Sequence, residues 1–514
     1  MFSLRPLRFS VCFLAMLAAN CIALLWLNHG KFIYILDDPY IHLAFSEDLR
    51  QFHFGLNAGE AAAPSSSILW PFLLAPWAEF SFHEYVPLLL NVILAVLTAL
   101  LIARVFEQLG VEEWPARRHG FIVAVAAVTL GAFLCLLVLM GMEHTLQVLC
   151  AVAAMHGAIL FLNTGRAPAW WPAAVVLGPL VRYESATITA AVLFLLLLRR
   201  CYRLAMGLTA ASALPVAAYS LLLLSVGLQA LPSSVLSKLV TTSSAWAGVR
   251  HRLYENFALP PYSYLAWPVL FLAAAAGVAL LFRRARSNNA PVLWMILIAG
   301  LGYIAGGIFY FRYVLFLYAF LVPATAYVCR RPLARVIATH PLVFYPLFLP
   351  FAAAALAASA AALVVLPLAS NNIYEQQYQM HRFLVEFHKG PVAVNDLGWT
   401  SYRNPHYVLD LQGLGSEAAR EARLAAQPGW MDTLVREKHI PLVMIYPGWF
   451  PGSIPPRWQR VATLRLGRAR ISSACDTVWF FDPDQRAVPD TVQKLQAFKK
   501  TLPEGVSLSI HGGT

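Results

Sequence analysis

Two adjacent acids, Asp37 and Asp38, follow directly on the first long apolar run of a 514-residue chain. They belong to the stretch KFIYILDDPYIHLAFSEDLR (31–50), which also carries His42, Glu47 and Asp48. Basic or aromatic residues anchor a helix at a membrane edge at lower cost than carboxylates do. A carboxylate held at a lipid–water boundary has two chemical uses. It can accept a proton from an attacking hydroxyl, or it can help to bind a metal ion. Adjacent residues on a helix point about 100° apart, so both acids reach one small site only where the backbone is irregular. His42 lies four residues after Asp38 and shares its helical face.

Further polar residues stand beside apolar runs. These are Glu143 with His144, Arg182 with Glu184, Lys238, and Arg312 with Tyr313. Fixed cations suit a phosphate, Arg as a two-pronged donor and Lys as a point charge. The plainer roles are snorkelling of Lys238 and Arg312 to the interface and pairing of Arg182 with Glu184. Glu143 suits either the orienting of a basic residue or the positive end of a helix. The acids form no D-x-D and no dense His/Glu cluster, so no metal ligands are assigned and a divalent cation stays an open question. The seven cysteines provide no disulfide framework: six lie in or beside apolar runs and Cys475 stands alone in the polar part.

The elements that must position these groups are apolar. The chain is 59% hydrophobic and 12% charged, about half the charge of a soluble domain. Eleven runs read as membrane spans: 9–28, 84–106, 119–140, 143–163, 169–181, 185–198, 204–226, 262–282, 290–309, 312–328 and 341–368. The first is read as a retained helix and not a cleaved signal, because the run is long and no small-x-small cleavage site precedes Lys31. The stretch 66–82, broken by Pro71 and Pro76, reads as interfacial or re-entrant. With the N-terminus in the cytoplasm, the clusters Arg117–Arg118, Arg166, Arg199–Arg203, Arg283–Arg286 and Arg330–Arg335 all fall on one side, as the positive-inside rule requires. The net charge of +12 is thus a topology signal and no argument for nucleic acid. The acids and cations above collect on the opposite face.

From about residue 370 the chain turns polar enough to fold in water. Residues 391–396, 406–412 and 440–446 read as short buried strands, 417–426 and 432–439 as helices, so a small α/β domain is expected. Its candidate ligand-binding positions are Asn395, Asp396 and Asp410 at strand ends, and Trp399, Tyr402, Trp430, Trp449 and Trp458 offer stacking surfaces. The expected architecture is a polytopic α-helical membrane protein of about eleven helices. Residues 1–369 form the membrane part, with a first outer loop at 29–83, and 370–514 form the extracytoplasmic α/β domain.

The order of motifs resembles the GT-C superfamily of polyprenyl-phosphate-sugar-dependent glycosyltransferases, closest to its bacterial arabinofuranosyltransferase-like branch. The resemblance rests on DDPYIHLAFSEDL after the first helix, GLNAGE (55–60), SSILW (66–70), GMEHTLQ (141–147), PLVRYES (179–185), LPSSVLSKL (231–239), FRYVLFLYAFL (311–321) and VAVNDLGWTSY (392–402). Ala58 stands where the branch usually has Pro, and Ser233 and Ser234 where Asn and Thr are usual. The resemblance implies transfer of a sugar from a polyprenyl-phosphate donor to an envelope glycan or lipid outside the cytoplasm of a bacterial inner membrane. It places the catalytic acid at Asp37 or Asp38 and donor-phosphate contacts at Lys238, Arg312 and Arg182. His42, Glu143, Glu184 and Tyr313 are then candidates for sugar or acceptor contacts. Two rival classes remain: a transporter or flippase of lipid-linked sugars, whose polar residues usually lie near the bilayer midplane in repeated halves, and a non-catalytic envelope scaffold.

Overall fold

The computed structural model of the chain describes residues 5–110, 116–237, 245–282, 289–484 and 488–511. Apolar sequence forms long helices: α1 (Arg5–Leu27), then α2 (Asp38–Arg50) and α3 (Leu69–Leu74) in the first loop, then α4 (Val86–Gln108), α5 (Ala116–Leu139) and α6 (His144–Thr164). There follow α7 (Trp171–Val181), α8 (Ala186–Leu198), α9 (Tyr202–Ser225), α10 (Ser233–Leu236), α11 (Ala245–Ala258), α12 (Tyr262–Leu281), α13 (Ala290–Gly306), α14 (Phe311–Thr339) and α15 (Pro341–Glu375). Eight of the described helices are long and apolar enough to cross a membrane, and three shorter apolar ones run over Trp171–Val181, Tyr183–Leu198 and Ala290–Gly306. Each apolar run read from the sequence falls on one of these.

The helices pack as neighbours in one bundle. α1 lies on α4, α5 and α15; α6 lies on α4, α7 and α14; α13 is sandwiched by α8 and α12. The stretch 66–82 forms only the short α3 and a 3₁₀ turn at Ala75–Trp77, as prolines at 71 and 76 remove the N–H groups a longer helix needs. The loop 227–261 is itself partly helical, through α10 and α11.

α15 runs through the expected domain boundary without a break. Its last turns are tied to the end of α1: Asn28 Nδ2 donates to Ser370 Oγ (2.9 Å), Ser370 Oγ to the Ile33 carbonyl (2.6 Å), and Asn371 Nδ2 to the Leu27 carbonyl (3.2 Å). The chain then continues through α16 (Gln377–Arg382) into the C-terminal domain.

That domain holds a mixed six-stranded sheet in the order β4-β3-β5-β7-β6-β8. The strands are β3 (Val392–Val394), β4 (Val408–Asp410), β5 (Val443–Ile445), β6 (Gln459–Arg465), β7 (Thr477–Asp482) and β8 (Ser507–Ile510). The first three are parallel, and β5–β7, β7–β6 and β6–β8 are antiparallel. Helices α17 (Gly398–Ser401), α18 (Glu417–Leu424), α19 (Trp430–Glu437) and α20 (Val488–Lys499) complete it. The two-stranded hairpin β1 (Gly55–Asn57) and β2 (Glu60–Ala61) of the first loop covers the β4 edge. There the Asn57 amide pairs with both backbone groups of Val408 (3.0 and 2.9 Å), which satisfies an otherwise open strand.

Candidate active site

Four chain segments turn toward one cavity of about 750 Å³ where the helix bundle meets the C-terminal sheet. The loop before α2 brings Asp37 and Asp38, α2 brings His42, the α7–α8 turn brings Arg182, and the start of α14 brings Arg312 and Tyr313. The sheet contributes the residues just beyond its parallel strands: Asn395 and Asp396 after β3, Gln412 after β4, Trp449 after β5. Carboxyl ends of parallel strands are where α/β sheets bind ligands. Apolar side chains from the bundle, Leu136, Met140 and Ile373 among them, line the same space.

The two adjacent acids part company. α2 starts at Asp38, with Pro39 in its first turn, where a missing N–H costs nothing. Asp38 thereby projects onto Arg312 and meets it in a two-pronged ion pair, Nη1–Oδ2 2.9 Å and Nη2–Oδ1 3.0 Å. Asp37 does not cap its own helix. Its Oδ2 accepts from the Gly398 N–H (2.7 Å) and its Oδ1 from the Trp399 N–H (2.9 Å). Asp37 is buried and lies against the Asp396 carboxyl. Burial, reinforced by the neighbouring acid, pushes Asp37 well above the usual carboxylate range, and burial raises Asp396 too. Two carboxyls in contact cannot both ionise freely.

Arg182 has extended backbone at the end of α7, which turns its side chain inward to 1% exposure. It donates to Glu143 (2.7 Å), Glu184 (2.9 Å) and Ser66 Oγ (3.2 Å). His42 Nε2 lies 3.4 Å from the other Glu143 oxygen. Tyr313 is stacked between cations, its ring 4.8 Å from the Arg182 guanidinium and 5.1 Å from that of Arg312, while Arg312 Nη2 donates to its hydroxyl (3.1 Å). So Asp38, His42, Glu143, Arg182, Glu184, Arg312 and Tyr313 form one connected network. Lys238 lies outside the described residues, as do Arg283, Arg284 and Arg286.

Buried polar atoms without a hydrogen-bond partner gather round this cavity. Among the described residues they include His42 Nδ1, Arg182 Nε, Ser234 Oγ, Arg312 Nε and Asn395 Nδ2. A folded chain rarely leaves such groups unpaired without a ligand, ion or water to meet them. Among the described residues no group of three or more His, Cys, Asp or Glu side chains could hold a metal ion.

Other residues singled out in the sequence do structural work. Glu60 accepts from Tyr407 and Ser416 (both 2.6 Å) and docks the first loop on the sheet. Glu47 lies against Arg403 (3.7 Å), and burial lifts its carboxyl to about 7. Asp410 folds the loop after β4 through the N–H groups of Gln412, Leu414 and Gly415. Trp399, Tyr402, Trp430 and Trp458 are buried, whereas Trp449 is 42% exposed on the cavity wall. Sequence reading overlooked Gln377 and Tyr446, which hold the Asp396 carboxylate (both 2.8 Å). Residues 371–481 match the model of a domain of unknown function (DUF8728). No curated protein matches the chain.

Proposed function

We propose that the protein is an integral-membrane glycosyltransferase of the GT-C type. It moves a sugar from a polyprenyl-phosphate donor to an envelope glycan or lipid on the extracytoplasmic face of a bacterial inner membrane, with about eleven helices crossing the bilayer. The observation that carries this reading is the pair of guanidinium groups, Arg182 and Arg312. Each is fixed by carboxylates and, among the described residues, each keeps a buried Nε–H without a partner beside one cavity at the apolar–polar junction.

The chemistry follows from that arrangement. The donor's tail lies along the apolar helices, and its phosphate meets Arg312 and Arg182, whose fixed charge stabilises the leaving group as the bond breaks. The acceptor hydroxyl attacks the anomeric carbon and loses its proton to a carboxylate of the Asp37–Asp38 step. A carboxylate near an oxocarbenium-like centre also stabilises the positive charge that develops there. His42, Glu143, Glu184 and Tyr313 shape the wall around the sugar. Orientation is supported by the helices themselves. Arg312 opens α14 at the cavity while Arg330, Arg331 and Arg335 lie near its other end, as expected if that end faces the cytoplasm.

The test is an assay of purified protein with a panel of synthetic polyprenyl-phosphate sugars. One donor is consumed by the wild type, whereas the double variant D37N/D38N binds that donor and turns over at least 100-fold more slowly. A panel of which no member is bound or consumed sinks the reading. An unaffected double variant points to a non-catalytic role.

A further inference from the structure

The Asp37–Asp396 contact joins two parts of the chain that meet only through folding. Asp37 comes from the first loop and Asp396 from the end of β3. Both line the cavity and their carboxyls lie against each other. The donors around them are neutral: two backbone N–H groups on Asp37, the Gln377 amide and the Tyr446 hydroxyl on Asp396. Among the described residues neither acid has an ion-pair partner, since Arg312 is taken by Asp38. Two carboxyls set against each other away from cations resist ionising together.

This bears on which carboxylate is the base. Asp38 has both oxygens on one guanidinium. The Asp37–Asp396 pair has no such cation and is raised by burial. General bases work best when their proton affinity matches the working pH.

We infer that Asp396 is a catalytic residue: with Asp37 it forms a two-carboxyl, one-proton pair that takes the proton from the attacking hydroxyl. The inference rests on the glycosyl-transfer reading. In the step, the acceptor oxygen bonds to the anomeric carbon, and the bond from that carbon to the phosphate oxygen breaks. The bonding electrons leave on the phosphate, and the hydroxyl proton passes to the ionised carboxylate of the pair. The pair, now holding two protons, returns one to the departing phosphate or to water. No other reactant is needed. The ionisable groups around the pair are Asp38 from the same turn, Tyr40 from α2, Tyr446 from beyond β5, and, lining the same cavity, His42, Arg182, Arg312 and Arg470.

The experiment is the pH dependence of kcat/KM for wild type, D396N, D396E and D37N, using the donor that the wild type consumes. An infrared spectrum of protein labelled with ¹³C-aspartate accompanies it. Replacing Asp396 by Asn removes the neighbouring acid, so the acidic limb of the profile moves down by at least one pH unit. Turnover at neutral pH falls at least tenfold in D396N and by about 10²–10⁴-fold in D37N, the range for loss of a general base. D396E restores part of the rate. The wild-type spectrum at pH 7 contains a protonated-aspartate band that D396N lacks. An unmoved acidic limb in D396N, or a wild type without that band, overturns the inference while donor consumption stands. A wild type that consumes no donor sinks both readings, even where the band is present.

Discussion

Arg182 is the most fully enclosed charge of the cavity wall, and its three side-chain partners come from three segments: Ser66, Glu143 and Glu184. Removing one partner from a buried ion pair leaves the other charged and stranded. We therefore expect R182M to cost about 3–5 kcal/mol. The double variant R182M/E143Q should recover part of that loss, and thermal unfolding in detergent measures both. The residues of this network were legible in the sequence because charge beside apolar runs is rare. Asp396 was legible only as a strand-end residue. Its contact with Asp37 depends on how the C-terminal domain docks, which no local pattern records.

At the level of elements, the junction is α17 against the loop before α2. The Asp37 carboxylate caps α17 through two N–H groups, and Trp399 stacks on Tyr40 at 4.0 Å between ring centres. Gly398 is required by this close approach: a Cβ there would land on the Asp37 carbonyl and carboxylate. We expect G398A to open the junction, with a loss of about 1.5–3 kcal/mol from one charged hydrogen bond. Faster hydrogen exchange at residues 398–402, with the rest of the sheet unchanged, would record it. The apolar helices were readable because their runs are long, and β3, β4 and β5 because they are short apolar runs between turn residues. The strands β6, β7 and β8 and helix α20 were not. Charged and polar residues interrupt QRVATLR and SLSI, and a short run such as TVWFFD does not by itself distinguish strand from buried helix.

Taken whole, the molecule is two units pressed together over carboxyls whose hold on a proton is strengthened by burial. Burial raises Asp37 and Asp396 and lifts Glu47 to about 7. An acid raised on folding binds more protons folded than unfolded, so stability falls as pH climbs from the unfolded value through the folded one. The thermal midpoint in detergent should therefore be higher at pH 6 than at pH 8, and E47Q should flatten the difference. The two-part plan was visible in composition, as the switch from apolar to polar sequence near residue 370. That one helix carries the chain across the switch was not, because polarity changes there while helical backbone does not. α15 has 35 residues and so measures roughly 50 Å. Helices tilt to match the thickness of the lipid around them. A tilt of about 5° displaces the tip of such a rod by roughly 4 Å, more than the length of a hydrogen bond. Because Ser370 and Asn371 of α15 are bonded to the end of α1, such a displacement would carry the Asp37 loop and the start of the C-terminal domain along together.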